Sequence, residues 1–212
     1  LSFFEWLLLI YYTIFFNLNS AETNDEMQKI AQEVSPLLSE FGNDVRLNQD
    51  LFSRIKIVYD NKAQFNLNDE QAYLLEKKYK SFSRNGANLA ETEKAKLREI
   101  DKELAQLSLQ FGQNVLAETN NYILEISNED DLKGLPAYVI DQAKADAEAK
   151  NKTGWVFTLQ APSYIPFMQY AENRTLREEL FRASGQKAFQ DNEFNNEENI
   201  KKIAKLRFDR AN

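Results

Sequence analysis

Between Glu91 and Thr119 the chain carries Leu97, Ile100, Leu104, Leu107 and Phe111, apolar residues spaced three and four apart. At 3.6 residues per turn that spacing returns to one side of a helix, so the stretch predicts a single long helix with an apolar stripe. A stripe of this length needs cover along its whole run, and neighbouring helices are the natural cover. Gly112 interrupts the stretch at a cost of about 1 kcal/mol relative to Ala. A close helix crossing at Gly112 is the expected compensation.

Neighbouring helices are legible on both sides. Thr23-Asn24-Asp25-Glu26 reads as a capping box, a hydroxyl followed three residues later by Glu. The helix after it places Met27, Ile30, Val34, Leu37 and Phe41 at helical spacing, with a kink expected at Pro36 and a stop at Gly42. A second helix starts near Asn48, carries Leu51, Ile55 and Val58, and ends at Asn61-Lys62. Asn68, with Gln71 three residues on, starts a third with Ala72, Leu75, Tyr79 and Phe82 inward, and Asn85-Gly86 ends it.

After the long helix the period changes. Asn121–Ser127 alternates Tyr122, Leu124 and Ile126 against Asn121, Ile123 and Glu125, which predicts a strand. An acidic turn follows at Asn128–Gly134, and a polar, alanine-rich helix runs from Pro136 to about Lys150. A second strand, Trp155–Leu159, can pair with the first as an antiparallel ribbon. Ser163 is placed to cap the next helix, with Pro166 in its first turn, where a missing N–H costs little. A further helix from about Asn173 sets Leu176, Leu180 and Ala183 on one side and the Glu178–Arg182 pair on the other. A last helix runs from near Asn196 to the end. The predicted fold is mainly α, a multi-helix lobe over residues 1–212 with a small two-stranded antiparallel ribbon near 121–127 and 155–159.

The apolar run Phe3–Phe16 contains one charge, Glu5. No Lys or Arg precedes it, as a signal peptide requires. A membrane span needs about 20 apolar residues, and polar residues begin at Asn17. The reading favoured by length is a helix buried within a larger helical protein.

Chemistry is constrained by what is missing. The chain holds no His and no Cys, which removes Ser-His-Asp and Cys-His arrangements and the usual nitrogen and sulfur ligands of zinc. Its glycines stand far apart, at 42, 86, 112, 134, 154 and 185, so no Gly-rich phosphate loop exists. A net charge of -7 argues against nucleic acid as a partner. Asp191, Glu193 and Asn195 have the odd spacing of a calcium loop. Asn196 stands where that loop needs Gly and Lys202 where it needs Glu, so the segment reads as a helix entry. Arg174, Arg177 and Arg182 read as a charged helix face paired with Glu178 and Glu179 more readily than as a carboxylate cradle. Trp155, Tyr164, Phe167 and Tyr170 read as core between ribbon and helices more readily than as a groove. No catalytic, cofactor-binding or metal residue is assigned.

One stretch carries a resemblance. Gly154–Ala183 reads GWVFTLQAPSYIPFMQYAENRTLREELFRA, and its W-x-x-T-L-Q, P-S-Y-x-P-F and Y-A-x-N-R-x-L-R-E elements resemble the thimet-oligopeptidase-like zinc metallopeptidases, in their bacterial peptidyl-dipeptidase and oligopeptidase A branch. The resemblance extends through Phe15–Asp25, Gly86–Leu89 and Phe111–Asn120. It implies the amino-terminal helical part of such an enzyme, the wall of a channel that admits short peptides. It also implies that zinc and the H-E-x-x-H helix lie in a catalytic part outside this chain. The implied partners are that catalytic part and short peptides. The cytoplasm is the expected compartment and the periplasm the alternative. A different class remains open: a helical interaction module, tethered to a membrane by the Phe3–Phe16 run.

Overall fold

The computed structural model describes residues 3–212, with side chains from Ile10 onward. The expectation for Phe3–Phe16 therefore rests in part on side chains, Phe3–Leu9, outside the described residues. In chain order the elements are α1 (Phe3–Ala21), α2 (Asp25–Arg46), α3 (Gln49–Asp60), α4 (Asp69–Arg84), α5 (Glu91–Asn121), β1 (Ile123–Ile126), α6 (Ala137–Ala149), β2 (Trp155–Thr158), α7 (Ala161–Tyr170), α8 (Arg174–Gly185) and α9 (Glu197–Ala211). Among the described residues the chain is mainly helical with one two-stranded antiparallel sheet. It divides into two compact units. One holds the residues up to Leu109 together with Lys201–Asn212, and the other holds Gln110–Ile200.

In the first unit, aromatic stacking joins α3 to α4. Phe52 is almost fully buried. Its ring lies 5.8 Å from Tyr79 and 6.2 Å from Phe82, and Tyr79 stacks in turn on Tyr59 at 3.9 Å. Each such pair contributes about 0.5–1.5 kcal/mol beyond simple burial. Tyr79 and Phe82 point inward as the periodicity predicts, whereas Ala72 is exposed. Asn68 and Gln71 form a reciprocal capping box at the start of α4. Near the end of α9, Arg210 donates to Asp101 of α5 at 2.6 Å and to Asn85, just past α4, at 3.2 Å.

Three further local expectations need correction. The cap of α2 is Asn24, whose Oδ1 accepts from Met27 N–H at 2.9 Å. The Thr23 hydroxyl is turned back to Asn19 Oδ1 instead. Gly42 does not stop α2, because it does not take the left-handed conformation by which glycine ends helices; the stop comes at Leu47, and Asn48 then caps α3. Gly112 sits at no close crossing. A Cβ placed there would meet nothing within 4 Å.

The second unit is built on the ribbon. Ile123 lies opposite Thr158, Leu124 opposite Phe157, Glu125 opposite Val156 and Ile126 opposite Trp155. Leu124 and Ile126 turn to one face and are buried, while Glu125 stays exposed. Phe157 and Phe167 are fully buried with ring centroids 4.6 Å apart. Val139 and Ala143 of α6 and Leu180 of α8 complete the core around them. Gly154 (φ +82) makes the turn into β2, and a Cβ there would fall 2.3 Å from the Ile126 carbonyl oxygen.

The entry to α7 differs from expectation. The helix starts at Ala161 after Gln160, so Ser163 lies inside its first turn. The Ser163 hydroxyl accepts the Thr158 N–H at 2.9 Å, which ties helix to strand where a cap was expected. Pro166 consequently lies beyond the first turn and removes one intrahelical hydrogen bond.

Candidate functional site

In the loop from Asp191 to Asn196, two asparagine side chains cap the local backbone. Asn192 Oδ1 accepts from Phe194 N–H at 2.9 Å, and Asn195 Oδ1 accepts from Glu197 N–H at 2.8 Å. This is helix-entry chemistry. Among the described residues no group of three His, Cys, Asp or Glu side chains converges where a metal ion could sit. With no His or Cys in the chain, the residues present do not fit the zinc that the family resemblance implies.

The three arginines do not form one cradle. Arg182 is paired with Glu178 at 2.8 Å on an exposed face, and Arg177 donates to the Ala171 carbonyl. The aromatic set divides. Phe167 is core, Trp155 and Tyr164 pack against it, and Tyr170 is exposed. Tyr122, just before β1, has its phenol pushed up from the ordinary value near 10, first by burial and then by the neighbouring Glu179 carboxylate.

Cavities open on the first unit, and two of them are described by their linings. One, about 460 Å³, follows a single face of α4 past Tyr73, Lys77, Ser81 and Arg84. Two of its cations are engaged: Lys80 pairs with Glu76, and Lys77 stands 5.1 Å from the centre of the Tyr73 ring. That pairing holds the Glu76 carboxyl below its usual range. The other, about 440 Å³, lies between α1 and α2 and is lined almost wholly by apolar side chains, among them Tyr12, Phe16, Ile30, Val34, Leu37 and Phe41. No described helix is long and apolar enough to cross a membrane.

A buried polar network escaped the sequence reading. Asn114 of α5 donates to Asn196 Oδ1 at 2.9 Å, and Asn196 Nδ2 donates to the Phe111 carbonyl at 3.1 Å. Nothing in the spacing of these asparagines marks them, since polar residues at such positions read equally well as solvated.

No family model matches the chain. Against curated proteins it is 36% identical over 173 residues to oligopeptidase A of Haemophilus influenzae, covering 81% of this chain and 25% of that protein. It is 32% identical over 172 residues to oligopeptidase A of Escherichia coli, with the same coverage of 81% and 25%. The chain is a relative of the bacterial thimet-oligopeptidase-like peptidases. Dipeptidyl carboxypeptidase of Escherichia coli is 30% identical over 200 residues, 94% of this chain and 29% of that protein. The chain thus spans about a quarter of the length of these relatives.

Proposed function

We propose that this chain forms a non-catalytic helical wall of the substrate channel in a peptidase that hydrolyses short peptides, and that zinc and its ligands are supplied by the rest of a longer enzyme. One observation carries the reading: the chain matches a peptidase group over four-fifths of its length or more yet has no His and no Cys. A zinc centre built on imidazole and a general-base glutamate needs residues this chain does not have. The wall's role is steric. Packed helices leave a passage for an extended chain and turn away a folded domain. The proposed compartment is the cytoplasm.

The test is a chimera in which these 212 residues replace the corresponding quarter of Escherichia coli oligopeptidase A. Quenched peptides and a folded protein are supplied as substrates. The expected result is hydrolysis of the peptides and none of the folded protein, with no hydrolysis by the 212-residue chain alone. A folded, zinc-loaded chimera that leaves peptides intact overturns the reading and favours the helical interaction module.

A further inference from the structure

We infer that the outer edge of β1 accepts an extended peptide as a third strand, the peptide's own N–H and C=O groups pairing with those of Ile123 and Glu125. The choice of a peptide as occupant rests on the channel reading above.

The direction in which each backbone group points follows from two facts. Residues in an antiparallel ladder alternate between pairs that exchange hydrogen bonds and pairs that do not. Thr158 gives its N–H to the Ser163 hydroxyl, so it faces away from β1 and its pair with Ile123 is a non-bonded one. By alternation, Leu124–Phe157 and Ile126–Trp155 are the bonded pairs, and Glu125–Val156 is again non-bonded. The N–H and C=O of Ile123 and of Glu125 therefore point outward from the ribbon.

The two edges are treated differently. On β2, α7 takes the Thr158 N–H into its first turn, and Val156, the other residue facing outward there, is fully buried. On β1, no partner meets the outward groups of Ile123 and Glu125 among the described residues. Glu125 is exposed and its side chain is turned to Lys152 at 2.8 Å. Unpaired backbone groups at strand spacing are a template for another extended chain. They match the backbone of a peptide without reading its side chains. A short edge of this kind gives weak, sequence-tolerant binding, which suits an enzyme wall that many peptides must pass.

The experiment uses the 212-residue chain and a short, uncharged peptide of alternating Thr and Val with blocked ends. Backbone amide resonances and amide exchange are followed as the peptide is raised into the millimolar range. The amides of Ile123 and Glu125 are expected to shift and to exchange several-fold more slowly, while Leu124 and Ile126, already bonded, change little. Glu125→Pro removes an outward N–H at an edge position that tolerates proline, and it should abolish the response while Leu124 and Ile126 stay protected. The fully N-methylated peptide, which lacks donors, should give no response with the unaltered chain, so the test does not depend on the variant folding. Absence of shifts, equal shifts from the N-methylated peptide, or protection of the same amides by self-association without peptide each overturns the inference. A working chimera with a silent edge sinks this inference alone; a responding edge with an inactive chimera sinks the channel reading alone.

Discussion

Asn114 and Asn196 meet side chain to side chain in the interior of the second unit, 82 residues apart in sequence and 2.9 Å apart in space. Asn196 is 1% exposed. It also accepts from Asn199 at 3.2 Å and gives its backbone N–H to the Ala188 carbonyl at 2.8 Å. One asparagine thus fixes the start of α9 against the long helix. Removing a partner from a buried pair leaves the other unsatisfied, at a cost of about 1–3 kcal/mol. Asn196→Ala is expected to lower the unfolding free energy by about that amount, and Asn114→Ala by a similar one. In a double-mutant cycle the two losses should fall short of adding. Urea unfolding of the four proteins checks it, and strict additivity would show that the bond contributes nothing.

Two glycines should respond in opposite directions to the same substitution. Gly112 is helical with open space where a Cβ would go, so Gly112→Ala should stabilise by up to about 1 kcal/mol through helix propensity. Gly154 has φ +82 and would drive a Cβ to 2.3 Å from the Ile126 carbonyl oxygen. Left-handed backbone alone costs a residue with a side chain about 1–2 kcal/mol, so Gly154→Ala should destabilise by more than that. Thermal unfolding of the two variants separates them. A stabilising Gly154→Ala would mean that the turn into β2 relaxes without cost.

These cases show what was legible in the sequence. Element type followed from periodicity. Leu97 to Phe111 announced α5, and the alternation through Leu124 and Ile126 announced β1. Asparagine caps were legible where one candidate stood alone, as at Asn48 and Asn68. Thr23 and Asn24 stand side by side, and only the path of the chain out of α1 decides between them. Gly42 and Gly112 misled because a glycine shows where the backbone is permitted to turn, not where it does. The outward groups of β1 were hidden because backbone direction depends on register, which the Ser163 hydroxyl reveals only in three dimensions.

Tyr122 gives a pH dependence of definite sign. Burial and the Glu179 carboxylate raise its folded-state pKa above the unfolded value near 10. The folded chain therefore holds the proton more tightly. The associated stability is fully present below about pH 10 and is lost as pH rises through the higher folded value. Tyr122→Phe cannot ionise, so its unfolding free energy should fall less steeply in that alkaline window than that of the unaltered chain. Denaturant unfolding at a series of alkaline pH values checks it. Equal slopes in the two proteins would show that Tyr122 titrates alike in both states.

The apolar cavity between α1 and α2 makes the last prediction. Leu37 is 63% exposed and Phe41 44%, and both line the cavity together with Tyr12 and Phe16 of α1. Contiguous apolar patches beyond a few hundred Å² are uncommon on soluble monomers. The 212-residue chain should therefore bind a hydrophobic dye more strongly than an ordinary domain of its size. Leu37→Lys and Phe41→Lys place a charge on the patch without opening a core, because neither residue is buried. Each should cut the dye signal at least several-fold while changing stability by no more than about 0.5 kcal/mol. Dye fluorescence beside urea unfolding distinguishes the patch from general loosening. If the signal falls only in variants that also lose stability, the dye is reporting partial unfolding and not this surface.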